Sequence, residues 1–258
     1  MTPSLQLLNV DSDKALEIIV QSDRLQVWDY SSNGTFTKSW ELYPGYSNRI
    51  YSFLMADLDG KSGLEVAVGT SQFLYTYDYA TKKQLTKSFY LGGYVRQILL
   101  ADPDQDKKQE LIARSSDGNL YIFDAATAVA EKILQPALGR KFMTTSVLPL
   151  APGVDVLVTS NDQGAMSLHL ALKPSGYLTL GPIPTSANKA YDSFHILDAN
   201  LFMLWAKDGV ITVSSGFTPI WKTKNYGTSF GQNWVVGSTP TSLRLLSSSS
   251  FGIFGFDF

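Results

Sequence analysis

A chain of 258 residues with 44% hydrophobic, 12% aromatic and only 17% charged side chains has ample material for a core and lacks the composition of a disordered segment. Its 21 Lys and Arg stand against 23 Asp and Glu, a balance that offers no field for a nucleic-acid backbone or an anionic membrane. The absence of cysteine excludes disulfides and thiolate metal sites, and no run of 18 apolar residues predicts a membrane-inserted helix. The first ten residues show no basic stretch followed by a long apolar run, so no signal peptide is expected there.

Along the chain, an acid-rich turn followed by an apolar run recurs as DSDKALEIIV (11–20), DLDGKSGLEVAV (57–68) and DPDQDKKQELIA (102–113). The acid opening each run is Glu17, Glu65 and Glu110, with fainter counterparts at Asp155, Asn200 and Ser242. Each run is followed by a polar turn and an alternating strand ending in an aromatic and Asp: RLQVWDY (24–30), FLYTYDY (73–79) and NLYIFDA (119–125). Such alternation predicts one buried and one solvated face. Fourth strands are expected at FTKSWEL (36–42), LTKSFYL (85–91) and PIWKTKN (219–225).

Four short strands in about 45 residues is the pattern of a propeller blade. The chain is therefore expected to be all-β: one β-propeller domain of about six four-stranded blades near 1–48, 49–93, 94–139, 140–187, 188–232 and 233–258, or seven in a longer protein. The last blade holds NWVVGS, SLRLLS and FGIFGFDF, three strands rather than four. An open sheet edge invites aggregation, so a longer chain or a neighbouring subunit is expected to supply the missing outer strand.

The acidic turns resemble those of the FG-GAP or VCBS-type repeats of integrin-α-like propellers, and 117–125 is also similar to quinoprotein-type propellers. The resemblance implies structural calcium between the first and second strands of a blade, held by oxygens at positions 1, 3, 5 and 9 of the loop. Asp102, Asp104, Asp106 and Glu110 fill all four positions. Asn9, Asp11, Asp13 and Glu17 fill them with one negative charge fewer. Asp57, Asp59 and Glu65 are interrupted by Lys61, where an ion pair is expected in place of calcium. Calcium takes six to eight oxygens in flexible geometry, which suits the first two sets. The alternative is a solvated turn whose carboxylates accept backbone N–H bonds.

Successive turns of a meander alternate between the two ends of the sheet, so the connections from blade to blade lie opposite the acidic turns. They carry Tyr46, Arg49, Tyr94, Arg96, Arg140, Tyr191, Phe230 and Trp234. Aromatics beside cations suit a protein loop, a glycan or an anionic group. The competing expectation is that the rings pack between blades while the cations are solvated.

His169 and His195 have no partners at metal-ligand or triad spacing, and no phosphate loop, dinucleotide fingerprint or nucleophile elbow occurs. The expectation is a non-catalytic binding or scaffolding propeller for a protein or glycan ligand, in an extracellular or periplasmic setting. An accessory or catalytic domain of a carbohydrate-active enzyme and a purely structural part of a larger complex are the alternatives.

Overall fold

The computed structural model describes residues 4–257 except 12, 14, 32, 137–138, 152–153, 162–165, 173–175, 184–190, 199–200, 207–210, 216–217, 223–232, 237–243 and 250–251, with side chains through 143 and at 145–147, 155–159 and 161. Sheet 1 comprises β1 (Ser4–Leu8), β2 (Glu17–Gln21), β3 (Leu25–Tyr30) and β4 (Phe36–Leu42). Sheet 2 comprises β5 (Ser52–Ala56), β6 (Glu65–Gly69), β7 (Leu74–Asp78) and β8 (Gln84–Lys87). Sheet 3 comprises β9 (Val95–Ala101), β10 (Glu110–Ser115), β11 (Leu120–Asp124) and β12 (Ala130–Leu134). Sheet 4 runs through β13 (Phe142–Ala151), β14 (Val154–Asn161), β15 (Met166–Leu172) and β16 (Gly176–Ile183). Sheet 5 runs through β17 (Tyr191–Asp198), β18 (Leu201–Ala206), β19 (Ile211–Ser215) and β20 (Thr218–Lys222). Sheet 6 has three strands, β21 (Asn233–Val236), β22 (Arg244–Ser249) and β23 (Gly252–Asp257).

In every sheet the strands are neighbours in chain order, so each is a simple meander. Among the described residues the only helical turn is a single 3₁₀ turn at Tyr46–Asn48. The chain divides into two compact units: Met1–Phe142 with Ala151–Asp155 and Ala171–Gly176, and Met143–Leu150 with Val156–Leu170 and Tyr177–Phe258.

Within the first unit, the core lies between neighbouring sheets. One face of sheet 1 presents Ile19, Leu25 and Val27, with Trp40 and Leu42 at its flank, to Met55, Val66, Val68, Tyr75 and Tyr77 of sheet 2. The other face of sheet 2, with Ala67, Leu74 and the partly buried Leu54, meets Ile98, Leu111, Ala113, Tyr121 and Phe123 of sheet 3. Burial of this kind stabilises by roughly 25 cal/mol for each Å² of apolar surface removed from water.

The expectation of one solvated face is corrected for 73–79 and 119–125, whereas β3 alternates in burial along Leu25, Gln26, Val27 and Trp28. All of β6 and Leu74–Tyr77 of β7 are buried, because sheet 2 has a neighbour on each face, and Leu120–Phe123 of β11 are buried as well. Tyr75, Thr76 and Tyr77 read as amphipathic letters, yet the Tyr rings fill one inter-sheet layer while Thr76 donates to or accepts from Thr86 at 2.6 Å.

The expected fourth strand at 85–91 is also shorter than its apolar letters suggest. β8 ends at Lys87, and Ser88 then turns across the sheet: its N–H donates to Leu74 O at 2.8 Å while its hydroxyl accepts from Leu74 N–H at 2.9 Å. Leu91 N–H donates to Gln72 O, which tucks Leu91 into the core.

The Asp at the end of the third strand closes the hairpin that follows. Asp78 Oδ1 accepts from the Thr81 N–H at 2.5 Å and its hydroxyl at 2.7 Å, and Asp124 Oδ1 accepts from Thr127 in the same way at 2.8 and 2.7 Å. The recurring Asp-x-x-Thr is thus a turn device.

Polar ties cross the seams as well. Gln21 Nε2 donates to Ile50 O at 3.1 Å, and the Ser52 hydroxyl donates to Val95 O at 2.7 Å. Gly69 sits at the second seam, where a Cβ would fall 2.5 Å from both Ser52 Oγ and Val95 Cγ1.

Candidate functional site

The turns 9–16, 57–64 and 102–109 each join the first and second strands of their sheet and lie at one end of it. In each, the Glu that opens the second strand is buried, 1% exposed at Glu17, 6% at Glu65 and 1% at Glu110, so its carboxyl is drawn under the turn. The ligand atoms of Asp102, Asp104, Asp106 and Glu110 lie within 4.8 Å of one another, and the same holds for Asp11, Asp13 and Glu17 and for Asp57, Asp59 and Glu65.

Much of this convergence is shaped by backbone hydrogen bonds. Asp11 Oδ1 accepts from Asp13 N–H at 2.8 Å, Asp13 Oδ1 from Ala15 N–H at 2.6 Å, and Asn9 Nδ2 donates to Asp13 O at 2.6 Å. In the third turn Asp102 accepts from the N–H groups of Asp106 and Lys107, and Asp106 accepts from Lys108. Lys61 pairs with Asp59 at 2.7 Å, and that ion pair, together with the Lys61 N–H, lowers the Asp59 carboxyl below its usual range.

The three buried Glu differ in one respect. Glu17 Oε2 accepts the Val10 N–H at 2.6 Å, and Glu65 Oε2 accepts the Leu58 N–H at 2.8 Å. The matching place in the third turn is Pro103, which has no N–H. Glu110 Oε2 is accordingly buried without a hydrogen-bond partner. Burial, followed by repulsion from Asp104, Glu131, Asp102 and Asp106, pushes the Glu110 carboxyl up to about 9. An orphaned buried carboxylate oxygen facing three Asp fits a hard divalent cation, whose charge and oxygen preference answer both penalties. Asp155, the fourth-repeat counterpart of Glu110, instead accepts the Asp102 N–H at 3.0 Å.

The left-handed backbone that a tight acidic turn needs is met differently in two turns. Gly60 adopts φ +72° in the second, whereas Gln105 takes φ +60° at the matching place in the third, joined by Lys107 at φ +71°.

At the opposite end of the first three sheets stand the connections 43–51, 88–94 and 135–141. Tyr46 is 85% exposed and its ring meets Tyr43 edge-on at 5.7 Å, with the Arg24 guanidinium 4.9 Å from the Tyr43 ring. Tyr94, 43% exposed, stacks on Tyr51 at 4.7 Å and an interplanar angle of 21°. Arg49 and Arg96 are exposed, and Arg140 is half-buried just before β13. Tyr191 opens β17 and Trp234 lies in β21, so both belong to strands, and Phe230 lies outside the described residues.

Arg114 was not among the residues singled out by sequence. It lies in β10, and its Nε donates to Gln97 Oε1 at 3.2 Å. A signal existed: Gln21 and Gly69 occupy the same place in the first two repeats, so a cation there breaks the pattern.

No family model matches the chain, and no curated protein is similar to it in sequence. Its structure is similar to a crystal structure of BBS1N in complex with ARL6DN, soaked with lead, with a TM-score of 0.67 at 10% identity over 98% of this chain and 77% of that one. The fold is a β-propeller. Its blades are the antiparallel meanders described above, five of four strands and one of three among the described residues. In blades 1 to 3 of the propeller, acidic turns stand at one end and the tyrosine- and arginine-bearing connections at the other.

Proposed function

We propose that this propeller is a non-catalytic binding domain that holds a protein partner on the connections opposite its acidic turns, while the third acidic turn takes a calcium ion. The observation that carries the partner surface is the group of accessible rings beside cations, Tyr46 with Tyr43 and Arg24 at one connection and Tyr94 with Tyr51 and Arg96 at the next. Tyrosine and arginine supply large contact areas and directional hydrogen bonds, and both are enriched at protein interfaces. The similar solved structure is that of a chain in complex with another protein, which supports a partner-binding role here.

The calcium reading rests on Glu110, whose unpartnered buried oxygen faces Asp102, Asp104 and Asp106. It is also what the FG-GAP or VCBS-type resemblance implies. A bound cation would stiffen the turn and leave the opposite end to the partner.

The test is capture of a partner by wild-type protein and by a Tyr46→Ala/Tyr94→Ala variant, with a glycan array run beside it. Loss of a protein partner in the variant, at unchanged thermal stability, is the expected result. Equal capture by both proteins, or binding of glycans alone, would overturn the reading.

A further inference from the structure

Arg114 occupies a place where the first two blades avoid charge. Gln21 there uses its amide to reach Ile50 O of the next sheet, and Gly69 has no side chain. An arginine brings a permanent charge and five N–H donors. Among the described residues one of those donors is used, in the bond to Gln97 Oε1. The residue is half-buried, and burial followed by the neighbouring Arg96 lowers its guanidinium to about 10.

Arg96 reaches this neighbourhood through a local irregularity. Arg114 pairs with Gln97, but the next residue, Ser115, pairs with Val95, so Arg96 is an extra residue with no partner across the ladder. The matching ladders of sheets 1 and 2 run without a break in register. A bulge bends its strand and re-aims a side chain, and bulges concentrate at functional sites. Here it puts Arg96 next to Gln97, the residue that faces Arg114 across the ladder and accepts its hydrogen bond, with the exposed Arg96 group 5.9 Å from the Tyr94 ring centre. The ion pairs formed among the described residues are Arg24 with Asp23 and Glu41, Lys38 with Glu41, and Lys61 with Asp59, and none involves Arg96 or Arg114. The nearby Asp117 is occupied by the N–H and side chain of Asn119 and by the Tyr121 hydroxyl. Two cations at neighbouring ladder positions, with no ion pair among the described residues, repel each other, and an oxyanion between them would convert that repulsion into charge-assisted hydrogen bonds.

We propose that Arg96 and Arg114 form an oxyanion site on the third blade, with the Tyr94 ring beside Arg96, that takes a carboxylate or phosphate group of the partner. The assignment rests on the reading that this end of the propeller holds a partner, and it names the chemistry recognised there. Bidentate guanidinium groups suit both oxyanions.

The experiment is a titration of the full chain with inorganic phosphate and, separately, with glutarate, at ionic strength held constant with chloride, following the arginine Nε–Hε resonances by NMR. Saturable movement of the Arg114 resonance is expected with at least one anion, and Arg96→Ala is expected to weaken it about tenfold, the scale of one hydrogen bond to a charged group. Arg114→Gln, which restores the residue type of Gln21 and is followed through the Arg96 resonance, should weaken it likewise. Tighter phosphate binding would mark a phosphorylated ligand and tighter glutarate binding an acidic side chain, and both support the site. No movement with either anion, or equal affinity in Arg96→Ala, would overturn it. Because no partner is used, anion binding that survives while Tyr46→Ala/Tyr94→Ala leaves partner capture unchanged would reject the partner surface and keep the anion site.

Discussion

Pro103 removes from Glu110 the backbone donor that Val10 gives Glu17 and Leu58 gives Glu65, so Glu110 Oε2 is buried with no hydrogen-bond partner. The same turn geometry therefore yields a capped carboxylate in two blades and an electrostatic debt in the third. With the folded carboxyl raised from 4.5 to about 9, the folded state holds a proton that the unfolded state has released. Stability from this group is full below the unfolded value and is lost as pH rises toward the folded one. In calcium-free buffer the melting temperature of wild-type protein should fall across about pH 4.5 to 9 relative to Glu110→Gln, which cannot ionise. Parallel pH profiles for the two proteins would contradict this.

Calcium should reverse that loss. At a dissociation constant of about 10⁻⁴ M, calcium at roughly a hundredfold excess stabilises by about 2.7 kcal/mol. The expected outcome is a rise in melting temperature for wild type that is largely absent in Asp104→Asn and Glu110→Gln. The turn with Lys61 on Asp59 should contribute nothing, so Asp59→Asn should leave the calcium response intact.

Gly69 tests the packing between the second and third blades. A methyl group there would meet Ser52 Oγ and the Val95 side chain at 2.5 Å, in a seam closed by the Ser52–Val95 hydrogen bond. Gly69→Ala should destabilise by about 1–3 kcal/mol, the cost of overpacking a close-packed core. Urea denaturation measures it.

Gln105 tests the strain in the third turn. It holds φ +60°, where Gly60 holds φ +72° in the second turn. Left-handed backbone costs a non-glycine residue about 1–2 kcal/mol and glycine's extra unfolded-state entropy costs about 0.5–1 kcal/mol, so Gln105→Gly should stabilise by about 0.5–1 kcal/mol. An unchanged or lower denaturation midpoint would show that the turn does not carry that strain.

The strands were legible because the repeat is: the Glu residues at 17, 65 and 110 each open a second strand, and the aromatic-Asp ends of 24–30, 73–79 and 119–125 each mark a third. Burial was less legible, since Tyr75, Thr76 and Tyr77 alternate in polarity but not in exposure once a sheet has neighbours on both faces. The end of β8 was hidden because Phe89, Tyr90 and Leu91 carry strand-forming letters while Ser88 turns the chain through its hydroxyl. At the site, the acids could be read from spacing, but the effect of Pro103 on Glu110 could not, because it depends on which N–H the folded turn aims at the carboxyl. The Arg96 bulge is likewise a property of register, which no local composition announces.

The most direct test of the account is photo-crosslinking from two positions on the first blade, Tyr46 among the connections and Leu16 on the acidic turn, both exposed. With a photoreactive residue at each site in turn, adducts to a protein partner should form from position 46 and diminish with Arg49→Ala. Adducts forming from position 16 and not from position 46 would contradict the assignment of the partner to the face opposite the acidic turns.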